Sequence, residues 1–238
     1  MKGVIVIPTY NEIANIEPLV KTIFSFRNDF CLIVVDDNSP DGTGEVLDKL
    51  SQQFPLLRVI HRPLKLGLGT AYIEGFRMAL KEKPDFIIQM DGDFSHHPQY
   101  ILQMVSLIKD CDLVIGSRYI QGGEIRNWSF WRRLLSWGAN FYVRIITRMP
   151  IYDATSGFKC FQRKVLEEIA IEKIRSQGYA FQIEMNYFVW RKKFRIKEIP
   201  IIFSERSRGK SKLHWGIIFE AFWLVWRLLL KELFRDSG

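Results

Sequence analysis

Short, mostly apolar runs alternate with helix-like segments along the first 115 residues. In the intervening segments, apolar residues recur at spacings of three and four, which is typical of amphipathic helices. The apolar runs occupy residues 4–7, 31–35, 57–60, 86–90 and 112–115. Strands that are apolar throughout are typical of parallel sheets covered by helices. The pattern predicts an α/β fold with a mainly parallel central sheet and helices on both faces.

The first of these helices is predicted to begin near residue 15. Its apolar side chains share one face, and Asn15 is of a type that often caps helices. Pro18 would then fall in the first turn, where proline is tolerated because the backbone N–H groups there have no partner in the helix. We therefore expect Asn15 to be the N-cap.

Polar loops follow three of the predicted strands. They contain residues 8–12, the pair Asp36 and Asp37, and residues 91–93. In open parallel sheets, ligands bind beyond the carboxyl ends of the strands. We expect the three loops to meet in one crevice and to form a binding site there.

Asp91 and Asp93, in the third of these loops, are candidate metal ligands. In an extended chain, their side chains would point to opposite faces. A turn at Gly92 would bring both carboxylates onto one ion, since glycine adopts unusual backbone angles at no steric cost. Mg²⁺ and Mn²⁺ prefer such oxygen ligands, and substrate phosphates often complete their coordination. The alternative is an ordinary solvated turn between a strand and a helix.

The familiar glycine-rich nucleotide-binding patterns do not occur. Gly67-Leu68-Gly69 opens a predicted helix but lacks the third glycine of the dinucleotide fingerprint, and no Walker A sequence occurs. We expect a bound diphosphate to be held by the metal and by cationic side chains. The two glycines would form a tight loop at the start of the helix.

Composition indicates a globular protein with an ample core. The 238 residues fit one large domain, or one domain with an appendage, and 47% of them are hydrophobic. Cys31, Cys111 and Cys160 are widely spaced in apolar surroundings, so we expect reduced core residues and neither disulfides nor a metal site. The apolar run at residues 4–7 is shorter than a signal-peptide core and ends at Pro8, so we expect no export.

Positive charge and tryptophan concentrate in the second part of the chain. Residues 1–100 hold 10 Lys and Arg against 13 Asp and Glu, whereas residues 101–238 hold 24 against 13 and all seven tryptophans. Basic residues interleaved with aromatic ones are typical of surfaces that bind anionic membrane headgroups. Nucleic acid is the competing partner, since aromatic side chains also stack on bases. We favour a membrane and no nucleic acid, because the aromatic residues lie in long apolar tracts.

Several motifs together resemble one enzyme family. They are Pro-Thr-Tyr-Asn-Glu at 8–12, Asp-Asp-Asn-Ser-Pro-Asp-Gly-Thr at 36–43, Lys-Leu-Gly-Leu-Gly at 65–69, Asp-Gly-Asp-Phe-Ser-His-His-Pro at 91–98, Gly-Ser-Arg-Tyr at 116–119 and Arg-Ser-Arg-Gly-Lys-Ser-Lys-Leu at 206–213. The combination is similar to inverting family 2 glycosyltransferases. The closer resemblance is to polyprenyl-phosphate (dolichyl-phosphate) mannose synthases of the short form, which lack an added transmembrane domain.

The resemblance implies a GT-A fold and a nucleotide-sugar donor, with GDP-mannose favoured. By position in the family motifs, the base and ribose would be held by Pro8, Tyr10, Glu12, Val35 and Asp37. The donor diphosphate would be bound through a Mg²⁺ or Mn²⁺ ion.

The metal and the phosphates would be held by carboxylates and arginines at matching positions. Asp91 and Asp93 would be catalytic as metal ligands, with Gly92 beside the donor and Ser95 acting as a ligand directly or through water. Relatives often carry alanine in place of this glycine, and some carry glutamine in place of this serine.

Two arginines complete the implied site. Arg118 would be catalytic through a phosphate contact, and Arg132 would contact the acceptor phosphate. From the residues alone, Arg118 could instead pair with Asp93 or Glu124.

Three segments are expected. Residues 1–212 would form the GT-A domain, and the resemblance implies that Arg206 and Lys212 in its last loop clamp phosphates and close over the substrates. Residues 128–150 predict a basic amphipathic helical segment on a membrane, with a core-packed helix pair as the alternative. Residues 213–238 predict an amphipathic helix bound to a membrane or a partner, since charged residues interrupt its apolar runs.

The function implied by the resemblance is inverting transfer of mannose from GDP-mannose to a polyprenyl or dolichyl monophosphate. The enzyme would act at the cytoplasmic side of a membrane, as a peripheral protein that small membrane subunits could assist. Two alternatives stay open: the same transfer from UDP-glucose or another nucleotide sugar, and a non-catalytic module that binds lipid surfaces. The acidic and cationic loops argue against the second alternative.

Overall fold

The computed structural model describes residues 1–27, 29–169, 171–174, 176–204 and 222–229. Its strands are β1 (Gly3–Thr9), β2 (Cys31–Asp36), β3 (Leu57–His61), β4 (Phe86–Gln89), β5 (Leu113–Ser117), β6 (Glu124–Arg126), β7 (Lys159–Gln162), β8 (Ile196–Pro200) and β9 (Ile202–Ser204). Its α-helices include α1 (Ile13–Phe26), α2 (Thr43–Gln53), α3 (Leu68–Lys81), α4 (Tyr100–Leu107), α5 (Phe130–Thr147), α6 (Arg163–Glu168) and α7 (Gly178–Arg191).

The main sheet has the strand order β3-β2-β1-β4-β7-β5-β8, and β6 pairs with β9 in a second sheet. Neighbouring strands of the main sheet are parallel, except that β7 runs antiparallel to both β4 and β5. The predicted mainly parallel sheet is confirmed. Because β7 is reversed, the loop that precedes it, residues 153–158, lies at the carboxyl ends of the parallel strands.

Helices cover both faces of this sheet, as the sequence predicts. Along β1, Val4 and Val6 belong to a core cluster with side chains of α3 and α7. Ile5 and Ile7, on the opposite face, belong to a second cluster with side chains of α1, α2 and α4. This alternation follows from the period of two along a strand, and it explains why β1 is buried along its whole length.

Helix α1 begins earlier than predicted, and the expectation that Asn15 caps it is wrong. Glu12 occupies the N-cap position, and the Asn15 side chain donates to Glu12 Oε2 at 2.8 Å from within the first turn. The unpaired N–H groups at this helix start are instead satisfied by the loop before α2. Thr43 Oγ1 accepts from the backbone N–H of Glu12 at 3.0 Å, and Asp41 Oδ2 accepts from that of Ile13 at 3.1 Å.

Residues 222–229 form a helical segment that packs against the domain. Leu224, Val225 and Leu228 are buried in the same cluster as α3 and α7. The ring of Phe222 stacks on Tyr142 of α5, with centroids 5.1 Å apart. This part of the predicted C-terminal amphipathic helix is therefore helical and apolar on its inner face. Within the described part of the chain, no helix has the length and apolarity needed to cross a membrane.

Candidate active site

The ends of β1 and β2 lie side by side and carry the predicted donor site. Pro8 pairs with Val35 in the strand register, and Thr9 pairs with Asp36. Beyond the strand ends, the backbone N–H of Asp37 donates to Thr9 O at 2.9 Å. The structure therefore brings the predicted nucleotide-binding loops together at one corner of the sheet.

Asp37 fastens the glycine-containing loop to this corner. Its Oδ1 accepts from Arg62 Nη1 and from the backbone N–H of Leu66, both at 2.8 Å, and its Oδ2 accepts from the N–H of Gly67 at 2.8 Å. Gly67 has φ 96° and precedes α3, as the predicted loop and helix start require. The ammonium of Lys65 lies 3.9 Å from the ring centroid of Tyr10. A nucleotide bound at this corner would contact a loop that the Asp37 carboxylate fixes in place.

Four of the five residues predicted to hold the base and ribose are buried, namely Pro8, Glu12, Val35 and Asp37. Val35 is completely buried, and its Cγ2 lies 3.2 Å from where a Cβ on Gly75 of α3 would be. Glu12 is 7% exposed and accepts the Asn15 hydrogen bond described above. Their roles in nucleotide binding stay predictions, together with those of Pro8 and Tyr10.

The loop of Asp91 and Asp93 lies against the end of β1 and turns at Gly92 and Asp93 as expected, but Gly92 does not adopt the positive φ that glycine reaches without steric cost. The glycines with positive φ in the described part of the chain are residues 42, 67, 122 and 178, whereas Phe94 adopts φ 62°. A side chain at Gly92 would be a tight fit, because a Cβ there would lie 3.1 Å from Pro8 O and 3.3 Å from Ile7 Cγ2. The small residue lets the acidic loop approach the nucleotide corner.

The carboxylate of Asp91 is held by two features that the sequence analysis missed. The hydroxyl of Tyr72, on α3, donates to Asp91 Oδ1 at 2.7 Å. A Cβ on Gly157 would lie 2.7 Å from Asp91 Oδ2, so only glycine leaves room for this carboxylate. The Asp91 side chain is 30% exposed, which leaves it accessible to a ligand.

Asp93 is almost completely buried and is oriented by Ser95. The backbone N–H of Ser95 donates to Asp93 Oδ1 at 3.1 Å, and the Ser95 hydroxyl donates to the same oxygen. The Ser95 side chain thereby positions a predicted metal ligand. Its own role as a ligand stays a prediction.

His96 lies behind the two carboxylates in an apolar pocket. Its ring stacks on Phe158 with centroids 5.1 Å apart and meets the edge of Phe203 at 5.4 Å. Burial lowers the pKa of His96, and the nearby charges of Asp91 and Asp93 oppose this only in part. Its Nδ1 lies 3.8 Å from Asp91 Oδ2 and has no hydrogen-bond partner among the described residues.

Arg118 is a buried cation paired with Asp153, and neither of the predicted pairings, with Asp93 or Glu124, occurs. Its Nε and Nη2 each donate to Asp153 at 2.7 Å, and Nη2 also donates to Thr155 Oγ1 at 2.8 Å. Glu124 instead pairs with Arg126 at 3.0 Å.

The surroundings of the Arg118 guanidinium keep it charged, and its hydrogen bonds to Asp153 and Thr155 use only Nε and Nη2. Although burial opposes the charge, the Asp153 carboxylate outweighs this effect and raises the pKa of Arg118. The Nη1 group makes no hydrogen bond to any described residue. It can therefore donate to an anion without displacing Asp153.

Arg118 and Arg132 lie on the same tryptophan. The guanidinium carbons of Arg118 and Arg132 are 5.7 Å and 4.1 Å from the ring centroid of Trp128, and that of Arg118 is 5.2 Å from the ring of Phe203. Ser129 caps the helix that carries Arg132. The structure thus brings together the two arginines that the family resemblance assigns to phosphates. Arg206 and Lys212 lie outside the described residues.

Comparison with protein-family models identifies the family of this chain. Residues 4–170 match the model described as glycosyl transferase family 2, which is more than half of the chain. The chain belongs to glycosyl transferase family 2. The resemblance inferred from the motifs is thereby confirmed.

Two curated relatives cover most of this glycosyltransferase. Undecaprenyl-phosphate mannosyltransferase of Micrococcus luteus is 39% identical over 93% of this chain and 91% of its own length. Polyprenol monophosphomannose synthase of Mycolicibacterium smegmatis is 39% identical over 94% of this chain and 85% of its own length.

Solved structures of low sequence identity share the fold. Glucosyl-3-phosphoglycerate synthase from Mycobacterium tuberculosis, in complex with phosphoglyceric acid, has a TM-score of 0.70 and 18% identity over 95% of this chain and 79% of its own. A mannosyltransferase from Pyrobaculum calidifontis, in complex with GDP-Man and Mn²⁺, has a TM-score of 0.58 and 15% identity over 88% of this chain and 58% of its own. The expected GT-A architecture is confirmed.

A buried lysine near the site of the glycosyltransferase could not be predicted from the sequence. Lys159, the first residue of β7, donates to Gln182 Oε1 at 2.8 Å, and the same oxygen accepts from Gln89 Nε2 at 2.7 Å. Burial lowers the pKa of Lys159 to about 7, against the opposing influence of Asp153 and Asp91. The run Lys-Cys-Phe predicts only a strand, so the position of this cation follows from the reversed direction of β7.

Proposed function

We propose that this family 2 glycosyltransferase transfers mannose from GDP-mannose to a polyprenyl or dolichyl monophosphate and inverts the anomeric configuration. The observation that carries the proposal is the position of Asp91 and Asp93 beside the β1–β2 nucleotide corner, with Arg118 and Arg132 in the same site region. The names of the two curated relatives support the sugar and the lipid phosphate acceptor.

Asp91 and Asp93 fit a Mg²⁺ or Mn²⁺ ion. Both are carboxylates, the oxygen ligands that these ions prefer. Gly157 leaves a space beside Asp91 Oδ2 that any side chain would fill. Among the described residues, no group of three His, Cys, Asp or Glu side chains could hold a metal, so the donor diphosphate and water would complete the coordination. A bound divalent ion stabilises negative charge on a departing nucleoside diphosphate.

Arg118 and Arg132 would bind the second substrate, the lipid monophosphate. A lipid monophosphate is anionic near neutral pH, so its oxygen is a competent nucleophile without a strong general base. The Nη1 edge of Arg118, fixed by Asp153, and the guanidinium of Arg132 would hold that phosphate by charge-assisted hydrogen bonds. Arg206 and Lys212 would contribute further positive charge by their family positions.

The outer face of α5 suits a lipid surface, where such an acceptor resides. We name this outer face by its strongly exposed apolar residues, which are Phe130, Trp131, Leu134, Leu135, Trp137, Phe141 and Ile145. The helix also carries arginines, which favour anionic headgroups. We propose peripheral attachment to the cytoplasmic side of a membrane through this face. Small membrane subunits remain a prediction.

Vesicle sedimentation tests the attachment. Trp131 and Trp137 are 75% and 51% exposed, so replacing both by alanine removes aromatic anchors without opening the core. The pair of substitutions should reduce binding to phosphatidylglycerol vesicles by about tenfold or more. Leu102→Ala, on an exposed position of α4, is the matched control and should bind as the parent does. Equal binding of all three proteins would contradict a membrane role for α5.

A donor panel tests the chemistry. The protein, Mn²⁺ and a polyprenyl monophosphate are incubated separately with GDP-mannose, UDP-glucose and other nucleotide sugars, and the lipid product is identified by its mass. We expect a hexosyl phosphate lipid from GDP-mannose, and its loss in Asp93→Ala. A product from UDP-glucose alone would favour the alternative donor. No product from any donor would favour a non-catalytic lipid-binding module.

A further inference from the structure

Helix α5 has a polar residue in its buried face. Its outer face is the exposed apolar surface defined above, whereas Asn140, Val143 and Thr147 face the domain and are buried. Asn140 is 3% exposed. A buried side-chain amide destabilises the fold unless its donors and acceptor find partners. The partners of Asn140 therefore indicate what this position does.

Asn140 forms hydrogen bonds with Thr155, which also contacts Arg118. Its Oδ1 accepts from the backbone N–H of Thr155 at 3.2 Å, and its Nδ2 donates to Thr155 Oγ1 at 3.1 Å and to Ser136 O of the same helix at 2.9 Å. The opposite assignment of the amide would place two N–H donors against each other. The same Thr155 oxygen accepts from Arg118 Nη2 at 2.8 Å. A chain of hydrogen bonds thus runs from α5 to the guanidinium.

The Thr155 hydroxyl has no remaining freedom of direction. Both of its lone pairs accept, one from Asn140 and one from Arg118, so its proton must be donated elsewhere. Asp153 Oδ1, which also accepts from Arg118, lies 3.3 Å away and takes it. The four side chains form one closed network in which each orients the next.

A second contact ties the same helix to the next residue of the chain. The Tyr119 hydroxyl donates to Ser136 Oγ at 2.7 Å. Ser136 lies four positions before Asn140 and therefore on the same face of α5. Arg118 and Tyr119 are thus held from adjacent turns of one helix whose other face is exposed and apolar.

We propose that Asn140 is a positioning residue: acting through Thr155, it holds the Arg118 guanidinium in the orientation that binds the lipid phosphate, and so couples α5 to the acceptor site. The inference rests on the proposed function for its acceptor, but the geometry is independent of it. Asp153 fixes one edge of the guanidinium, and Thr155 fixes the remaining proton of Nη2. Because the guanidinium is planar and rigid, holding Nε and Nη2 also fixes the direction of the two Nη1 protons.

Hydrogen exchange of the Arg118 side chain tests the coupling without any turnover. The Nε–H resonance is assigned by its loss in Arg118→Lys, and its exchange rate is measured in each variant. Asn140→Ala and Thr155→Val should each accelerate exchange by about tenfold, because Thr155→Val removes an orienting partner of the guanidinium and Asn140→Ala removes the side chain that orients Thr155. Thr155→Ser keeps the hydroxyl and should exchange as the parent does. Thr147→Val is the matched control, since its hydroxyl bonds within α5 to Val143 O.

Steady-state kinetics give a second readout that a packing role would not move selectively. Asn140→Ala and Thr155→Val should raise KM for the polyprenyl phosphate about tenfold and leave KM for GDP-mannose unchanged. The double variant should be no worse than either single variant, because both break one network. Parent-like exchange in Asn140→Ala and in Thr155→Val would overturn the proposal, as would a Thr155→Ser variant as impaired as Thr155→Val.

The two proposals fail in different ways. If Asn140→Ala does not fold, Thr155→Val carries the same test. If the parent transfers no sugar from any donor, the proposed function fails, whereas the exchange rates still decide whether Asn140 positions Arg118.

Discussion

Replacing Gly157 by alanine should weaken metal binding by displacing Asp91. The new Cβ would lie 2.7 Å from Asp91 Oδ2 and 2.9 Å from Oδ1. Ordinary contacts begin near 3.4 Å, so the carboxylate must move by about 0.7 Å. The backbone at Gly157 needs no positive φ, so the substitution tests the contact and not the chain conformation.

The size of the effect follows from the bond that this movement breaks. Tyr72 donates to Asp91 Oδ1 at 2.7 Å, and a shift of this size takes the pair out of good hydrogen-bond geometry. A hydrogen bond to a charged group contributes about 1.5–3 kcal/mol. At about 1.4 kcal/mol for each factor of ten, the dissociation constant for Mn²⁺ should rise about 10- to 100-fold.

Mn²⁺ titration followed by electron paramagnetic resonance measures this constant, in the presence of GDP. Gly138→Ala is the matched control, because a Cβ at Gly138 meets nothing within 4 Å and alanine suits the interior of α5. The control should bind Mn²⁺ as the parent does. Parent-like affinity in Gly157→Ala would refute the assignment of Asp91 as a metal ligand held in a glycine-lined space.

Three further substitutions probe the site. Tyr72→Phe keeps the stacked ring but removes the hydroxyl that donates to Asp91, so it should weaken Mn²⁺ binding about tenfold. An unchanged Mn²⁺ affinity in the same titration would contradict a role for this hydroxyl. Arg118→Lys loses the two-point contact with Asp153, so KM for the acceptor should rise at least about tenfold, and a parent-like KM would count against the phosphate role. Lys159→Met removes a base whose pKa falls from 10.5 to about 7 on folding. Between these two pKa values, Lys159 carries a proton in the unfolded chain and not in the folded one, so the free energy of unfolding rises with pH. The difference in this free energy between the parent and Lys159→Met, measured by urea titration of metal-free protein, should therefore increase from pH 7 to pH 10. A difference that does not change with pH would contradict the buried position of Lys159.

The strands and the crevice at their ends could be predicted because they depend on local patterns. An apolar run such as residues 4–7 indicates a covered strand whatever its neighbours are. Loops that follow parallel strands then meet at one edge by geometry alone. This is why the positions of Asp37, Asp91 and Asp93 were foreseen as one site.

The partner of Arg118 could not be predicted, because it depends on the direction of one strand. The residues before β7 reach the site only because β7 runs antiparallel between β4 and β5. No periodicity distinguishes a parallel from an antiparallel buried strand of four residues. The positions of Asp153, Thr155 and Gly157 in the site therefore follow from the sheet topology and not from a local pattern.

The prediction of the α1 cap failed, and the use of Gly92 differs from the expected one, because the deciding contacts come from distant residues. Asn15 has a good capping side chain, but Thr43 and Asp41 already serve the start of α1. Gly92 lies in the turn that the sequence predicts, but without a positive φ, and its small size suits the close approach to Pro8 O. Each glycine or cap residue has several physical uses, and tertiary neighbours select among them.

The central claim is transfer of mannose to a lipid phosphate with metal assistance and inversion. The most direct measurement is the mass and anomeric configuration of the lipid formed from GDP-mannose and polyprenyl monophosphate, with Mn²⁺ and with excess chelator. We expect a β-linked mannosyl phosphate lipid that forms with Mn²⁺ and is lost with the chelator. An α-linked product, or equal formation with the chelator, would contradict it.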